Sequence, residues 1–216
     1  MASIYFLVEG ETEERFFKEI VKDYYKGKHF ISCSLMPQGK RKGGTIDYNQ
    51  TKKELSRFFY SGKHFDKIIL IQDYYRLGKT MKEHIGGNLN LDKIIFSIQE
   101  RLEKDVNNPK FHFRLQIYEF EAYLFTNPDF VASYFDDNKI LQKIEKILEE
   151  FDGNPELINN RFDTKPSKRL DEMTQNKFQK RIDGITIVKN VGIDNIRKKC
   201  KYFNELFNLI DSLPAS

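Results

Sequence analysis

Ile4 to Val8 is an unbroken apolar run, IYFLV, that stops at Glu9-Gly10, and so short a run with turn residues behind it predicts a strand buried on both faces. Thr12 then stands where a helix cap is expected. Phe16, Phe17, Ile20, Val21, Tyr24 and Tyr25 follow on one helical stripe, and Gly27 ends it. From His29 to Met36 the pattern alternates, with Ile31, Cys33 and Leu35 on one face and Ser32 and Ser34 on the other, which predicts a second strand. PQGKRKGG reads as a loop and Ile46 to Tyr60 as a helix. Lys67 to Gln72 carries the buried run IILI and ends on Asp73. The glycine- and asparagine-rich stretch after DYYRLGKT predicts a long loop. Leu91 to Val106 is amphipathic through Leu91, Ile94, Ile95, Ile98 and Leu102, and Phe111 to Ile117 alternates as a fourth strand leading into YEFEAYLF.

Beyond Phe120 the period becomes helical. Ile140, Leu141, Ile144, Ile147, Leu148 and Phe151 form one stripe, and Ile193, Ile196, Cys200, Phe203, Phe207 and Ile210 another. The polar stretch between them, 154–184, predicts irregular chain with short helical pieces. Strands that alternate with helices give an α/β fold, a Rossmann-like and mainly parallel sheet of about four strands flanked by helices and joined by right-handed crossovers. The expected organisation is an α/β domain over 1–125 and a helical C-terminal region over 126–216. No internal repeat interrupts it.

Composition narrows the class without naming a function. The chain has 216 residues, 39% hydrophobic and 31% charged, enough apolar surface to build a core and to exclude disorder. A net charge of +4 identifies no nucleic-acid partner by itself, so the distribution of the charge has to decide. Cys33 and Cys200 have no metal-ligand spacing, which argues against a zinc site or disulfide framework and for a reducing compartment. No run is long enough to span a membrane and the start lacks a signal-peptide pattern, so a cytoplasmic protein with no membrane partner is expected. GxxxxGK[ST] is absent, so this chain is not itself a P-loop ATPase.

The informative feature is where the acids fall. In an open parallel sheet, ligands gather outside the carboxyl ends of the strands. Three of the four predicted strands end in acids there: Glu9, then Asp73, then Glu119 and Glu121. Carboxylates crowded into a partly desolvated cleft take up protons or hold a cation, and oxygen ligands without Cys or His favour Mg²⁺ or Mn²⁺. Each acid also has a plain structural reading. Glu13 and Glu14 suit the first turn of a helix, Asp73 can start a turn, and Glu119 and Glu121 share a face only if the strand continues between them. Lys40, Arg41 and Lys42 lie in a glycine-flanked loop, and Lys168 and Arg169 lie in a second basic stretch with Lys165, Lys180 and Arg181. Both stretches are candidates for phosphate contacts, and both equally fit solvated surface.

VEGETE resembles the opening motif of the Toprim domain, the metal-binding fold of topoisomerases, bacterial primases and overcoming-lysogenization-defect nucleases. Its strand ends in Glu-Gly with an acid three residues after the glycine, here Glu9, Gly10 and Glu13. In order, VEGETE, DYYRL, YEFEAYLF, PELIN, PSKR and VGIDNIRKKCKYF resemble a bacterial Toprim-like family of unknown function, domain-of-unknown-function family 4276, over nearly the whole chain. The chain departs from the Toprim Asp-x-Asp pattern in having Tyr75 at the second position. It departs from its relatives in having Tyr118 for His and Arg76 for Gly.

The resemblance implies a Mg²⁺- or Mn²⁺-dependent nuclease that hydrolyses phosphodiesters of DNA or RNA. Glu9, Glu13, Asp73 and Glu121 are its expected catalytic residues, and Glu9, Asp73, Glu119 and Glu121 its expected metal ligands. It further implies an ATPase partner of the ABC or overcoming-lysogenization-defect type in anti-phage defence, docked on the C-terminal helices, with a homodimer left open. Two alternatives stand beside it: a catalytically weak module that binds nucleic acid or the ATPase, and a metal-dependent phosphoryl or nucleotidyl transferase.

Overall fold

The computed structural model describes residues 1–38, 41–42, 48–61, 64–74, 77, 90–117, 119–158 and 162–214. Contacts divide the chain into Met1–Leu115 with Leu213–Ser216, and Gln116–Ser212.

In the first unit the four expected strands form one parallel sheet in the order β2-β1-β5-β6: β1 Ala2–Val8, β2 His29–Leu35, β5 Lys67–Asp73 and β6 Phe111–Gln116. β1 pairs with β2 from Ala2↔His29 to Val8↔Leu35, and with β5 from Ile4↔Lys67 to Leu7↔Leu70. The unbroken IYFLV run is explained by this central place, because both faces of β1 are covered. Phe6 stacks on Phe17 at 4.2 Å, while Tyr5, pointing the other way, meets Phe58 at 4.9 Å and Phe65 at 4.6 Å.

The helix after β1 is wider than its sequence predicts. Glu11–Arg15 is α-helical, Phe16–Val21 is a π-turn and Lys22–Tyr24 is α-helical again. The Lys22 N–H donates to the Phe17 carbonyl, five residues back, and this lets Phe16, Phe17 and Val21 all turn inward. Its cap is Gly10, without a side-chain bond; Thr12 sits buried in the first turn. Gly27, at φ +81°, ends the element as expected.

Pro37–Gln38 (β3) and Arg41–Lys42 (β4) pair antiparallel within what the sequence predicts as loop. The next helix runs Tyr48–Tyr60, and the helix Leu91–Val106 keeps its predicted bounds, with Asn90 as its cap. This last helix closes one side of the sheet: Glu103 Oε1 accepts the Phe113 N–H at 2.7 Å, and Gln99 Oε1 accepts the Leu115 N–H at 3.0 Å.

The second unit is helical: a 3₁₀ segment Phe120–Thr126, then helices Pro128–Tyr134, Asn138–Glu149, Pro166–Met173, Lys180–Val191, Ile193–Lys199 and Lys201–Asp211. The predicted stripe from Ile193 to Ile210 is buried at each of its six positions, but it is split into two helices by extended backbone at Cys200. Lys180–Val191 is a full helix whose first five residues fall in the stretch 154–184 that reads as irregular chain. Gly184, Ile185, Ile187, Val188 and Val191 are buried on several of its sides, so no amphipathic period marks it.

Candidate active site

β1 sends the chain to the helix on the Phe6 face, and β5 is reached past the helix on the Tyr5 face. The β1/β5 boundary is therefore the topological switch point of the sheet, where connections leave to opposite sides and where parallel sheets of this kind take their ligands at the carboxyl ends. Glu9 follows β1 there and Asp73 ends β5, both buried. The Asp73 backbone N–H donates to Glu9 Oε2 at 3.3 Å, so the two motif acids meet on adjacent strands.

Glu13 is held closer to the end of β1 than a first-turn acid need be. Its carboxylate folds back over Gly10, where a Cβ would overlap Glu13 Oε2, and the residue is buried; Glu14 turns outward to Lys18 at 2.7 Å. Gly10 has ordinary extended backbone, φ −115° and ψ 154°, so the glycine is needed for the space it leaves and not for an unusual turn. Gly10→Ala is expected to fold with stability unchanged or raised by about 0.5 kcal/mol. For the metal-dependent nuclease that the sequence leads one to expect, the displaced Glu13 carboxylate should lower cleavage about tenfold or more, measured against urea unfolding of the same protein.

Glu119 and Glu121 lie in the second unit, and each has an ammonium partner. Glu119, on extended backbone just before the 3₁₀ segment, receives the Lys165 ammonium at 2.9 Å and the Ser167 backbone N–H at 3.1 Å. Burial raises its pKa, but these bonds outweigh burial and hold the carboxyl below the usual range. Glu121 is 0% exposed, with the Lys180 ammonium 2.9 Å from each of its oxygens. The helical turn has begun by Phe120, and the two acids go to different lysines. The expected four-acid set is thus divided two and two between the units. Within each unit, among the described residues, no group of three or more His, Cys, Asp or Glu is placed to hold a metal ion.

The predicted phosphate contacts fare unevenly. Lys168 is exposed beside Asp171 at 3.8 Å. Arg169 is built into the fold: its Nε donates to the Thr164 carbonyl at 2.7 Å, and its guanidinium lies 3.6 Å from Glu150 and 5.7 Å from the Phe151 ring centre. Lys40, Tyr75, Arg76 and Tyr118 lie outside the described residues, and of Arg41 and Lys42 only the backbone is described.

Glu156, in the PELIN motif, is a buried acid whose role the sequence leaves unassigned. Its carboxylate accepts the backbone N–H groups of Tyr202 and Phe203, both at 2.9 Å, and so caps the helix Lys201–Asp211 just after Cys200. The order PELIN…C-x-x-F is therefore a packing motif. Burial also pushes the Cys200 thiol well up, which leaves it inert.

Burial outweighs the two N–H bonds and raises Glu156 to about 7. The folded state thus holds a proton that the unfolded chain releases near its ordinary value. The resulting stability is full below about pH 4.5 and is lost as pH rises through about 7, a change of roughly 3 kcal/mol. Urea unfolding at pH 5 and pH 7.5 checks this; Glu156→Gln should flatten that part of the slope.

No match was found among curated proteins or among solved structures. A family model described as "Domain of unknown function (DUF4276)" matches residues 8–211.

Proposed function

The chain belongs to that family, and from the acids at the switch point we infer that it is a Mg²⁺-dependent nuclease of Toprim type, hydrolysing phosphodiesters of DNA or RNA. One observation carries the reading: Glu9 and Asp73, distant in sequence and both buried, adjoin at the carboxyl ends of the two parallel strands that flank the switch point.

The donor set fits the metal. Mg²⁺ usually uses one or two carboxylates with waters and substrate phosphates, not an all-protein cage, so an oxygen-only pair suits it where zinc would want nitrogen or sulfur. Glu9 and Asp73 would hold the ion, which when bound supplies charge to the phosphoryl oxygens and a more acidic water. Glu13, folded over Gly10, would relay a proton in this reading. Burial of all three acids limits water around them and strengthens each electrostatic contact. An ATPase of the ABC or overcoming-lysogenization-defect type is the partner this reading expects.

Incubation with plasmid, single-stranded DNA and tRNA, in Mg²⁺, Mn²⁺ or chelator, tests the reading, with cutting expected only with metal. A second reading, a nucleic-acid or ATPase-binding module with little catalysis, is favoured by the lysines that already neutralise Glu119 and Glu121. Retention of the same substrates without cutting in either metal would select it.

A further inference from the structure

The two edges of the sheet are finished differently. On β6, side chains of the helix Leu91–Val106 accept the backbone N–H groups of Phe113 and Leu115, so that edge is closed. On β2, the opposite edge, neither a strand nor a side chain among the described residues bonds the outward backbone of Phe30 to Cys33. Edge strands are commonly protected by charge, proline or a bulge within the strand. β2 reads HFISCSL, seven residues paired in unbroken register with β1, with no proline, lysine or acid. Its outward positions carry Phe30, 63% exposed, and Ser32.

Beside this edge lies a cavity of about 540 Å³, at the amino ends of the strands and so at the other end of the sheet from Glu9 and Asp73. Phe30, Ile31 and Ser32 line one side and Lys18, Lys22 and Lys26 the other. Glu19 and Asp23 also line it, but Glu19 is held by Arg15 at 3.0 Å. Lys18 is held by Glu14, whereas Lys22 and Lys26 are exposed and have no ion pair among the described residues.

We propose that the β2 edge is a docking site for an extended acidic peptide segment of a partner protein, added to the sheet as a fifth strand with its carboxylates toward Lys22 and Lys26. The open backbone supplies main-chain hydrogen bonds, Phe30 supplies an apolar contact and the lysines supply the preference for acids. Two other occupants fit less well. A second copy pairing through the same edge would bring two lysine-lined grooves together, with like charges facing. A nucleic-acid strand offers the edge acceptors for its N–H groups, but its phosphates have no donors for the carbonyls. The proposal is independent of the nuclease reading, since it uses neither Glu9 nor Asp73.

The full chain is titrated with three fluorescent probes: an alternating Val-Glu decapeptide, its Val-Lys counterpart, and the Val-Glu peptide N-methylated at alternate residues. Oligo-dT serves as competitor. The acidic peptide is expected to bind, the lysine peptide and the N-methylated peptide to lose binding at least about tenfold, and oligo-dT not to displace it. Lys22→Glu with Lys26→Glu should weaken the acidic peptide about tenfold and reverse its charge preference, with the circular dichroism unchanged because both side chains are exposed. No binding, equal binding of the N-methylated peptide, displacement by oligo-dT, or a dimer that Phe30→Lys dissociates would each overturn the proposal.

Discussion

On the proposed nuclease reading, Asp73→Asn and Glu9→Gln should each lower Mg²⁺-dependent cleavage by roughly 10²–10⁴-fold while leaving the fold intact, the largest effect expected in the molecule. Both substitutions keep shape and remove charge. Both residues are buried, and the Asp73 N–H bonds the Glu9 carboxylate, a bond that a glutamine at position 9 still accepts through its amide oxygen. Each variant should therefore melt at about the same temperature as the parent without metal. The parent should also gain stability as Mg²⁺ is added, because an ion that binds only the folded state shifts the equilibrium by mass action, and the variants should lose that gain. Cleavage rate and metal-dependent melting together separate loss of the site from loss of the fold. Unaltered cutting, or an undiminished melting response to Mg²⁺, would refute the assignment of Glu9 and Asp73.

Lys180→Met should cost the protein about 3 kcal/mol in urea unfolding at neutral pH, the second large effect. The ammonium is 2.9 Å from each oxygen of Glu121, which is fully buried, so its removal takes a close counter-ion from a charge inside the protein. Glu121→Gln alone should cost about 1 kcal/mol, because the amide still offers Lys180 an oxygen. Combined with Lys180→Met it should recover most of the single-variant loss, and the excess over additivity measures the pair. If Lys180→Met leaves stability unchanged, the pair is not what keeps Glu121 in the interior, and the acid is again a candidate ligand.

Much of the fold is legible in the chain because its signals are local. IYFLV, IILI and the alternation after Phe111 each predict a strand found within about two residues of its predicted bounds, and the amphipathic stripe over Leu91–Val106 predicts that helix in full. What was missed has physical reasons. The helix Lys180–Val191 is buried on several sides and so lacks the one-sided period that marks an amphipathic helix. Thr12 has the chemistry of a cap, but Gly10 takes the position because Glu13 folds over it. The pairing of Pro37–Gln38 with Arg41–Lys42 is only two residues long on each side, too short for alternation to show.

The sequence by itself determined where strands end, that acids stand at those ends, and which motifs occur in which order, since each depends on neighbours within a few residues. Only the tertiary structure decided which partners each acid meets. Glu119 and Glu121 resemble Glu9 and Asp73 as residues, yet Lys165 and Lys180, some 46 and 59 positions away, neutralise the first two, while the register of β1 against β5 brings the other two together. Charge in a protein interior is governed by distance in space and by lost hydration, and neither can be read from distance along the chain.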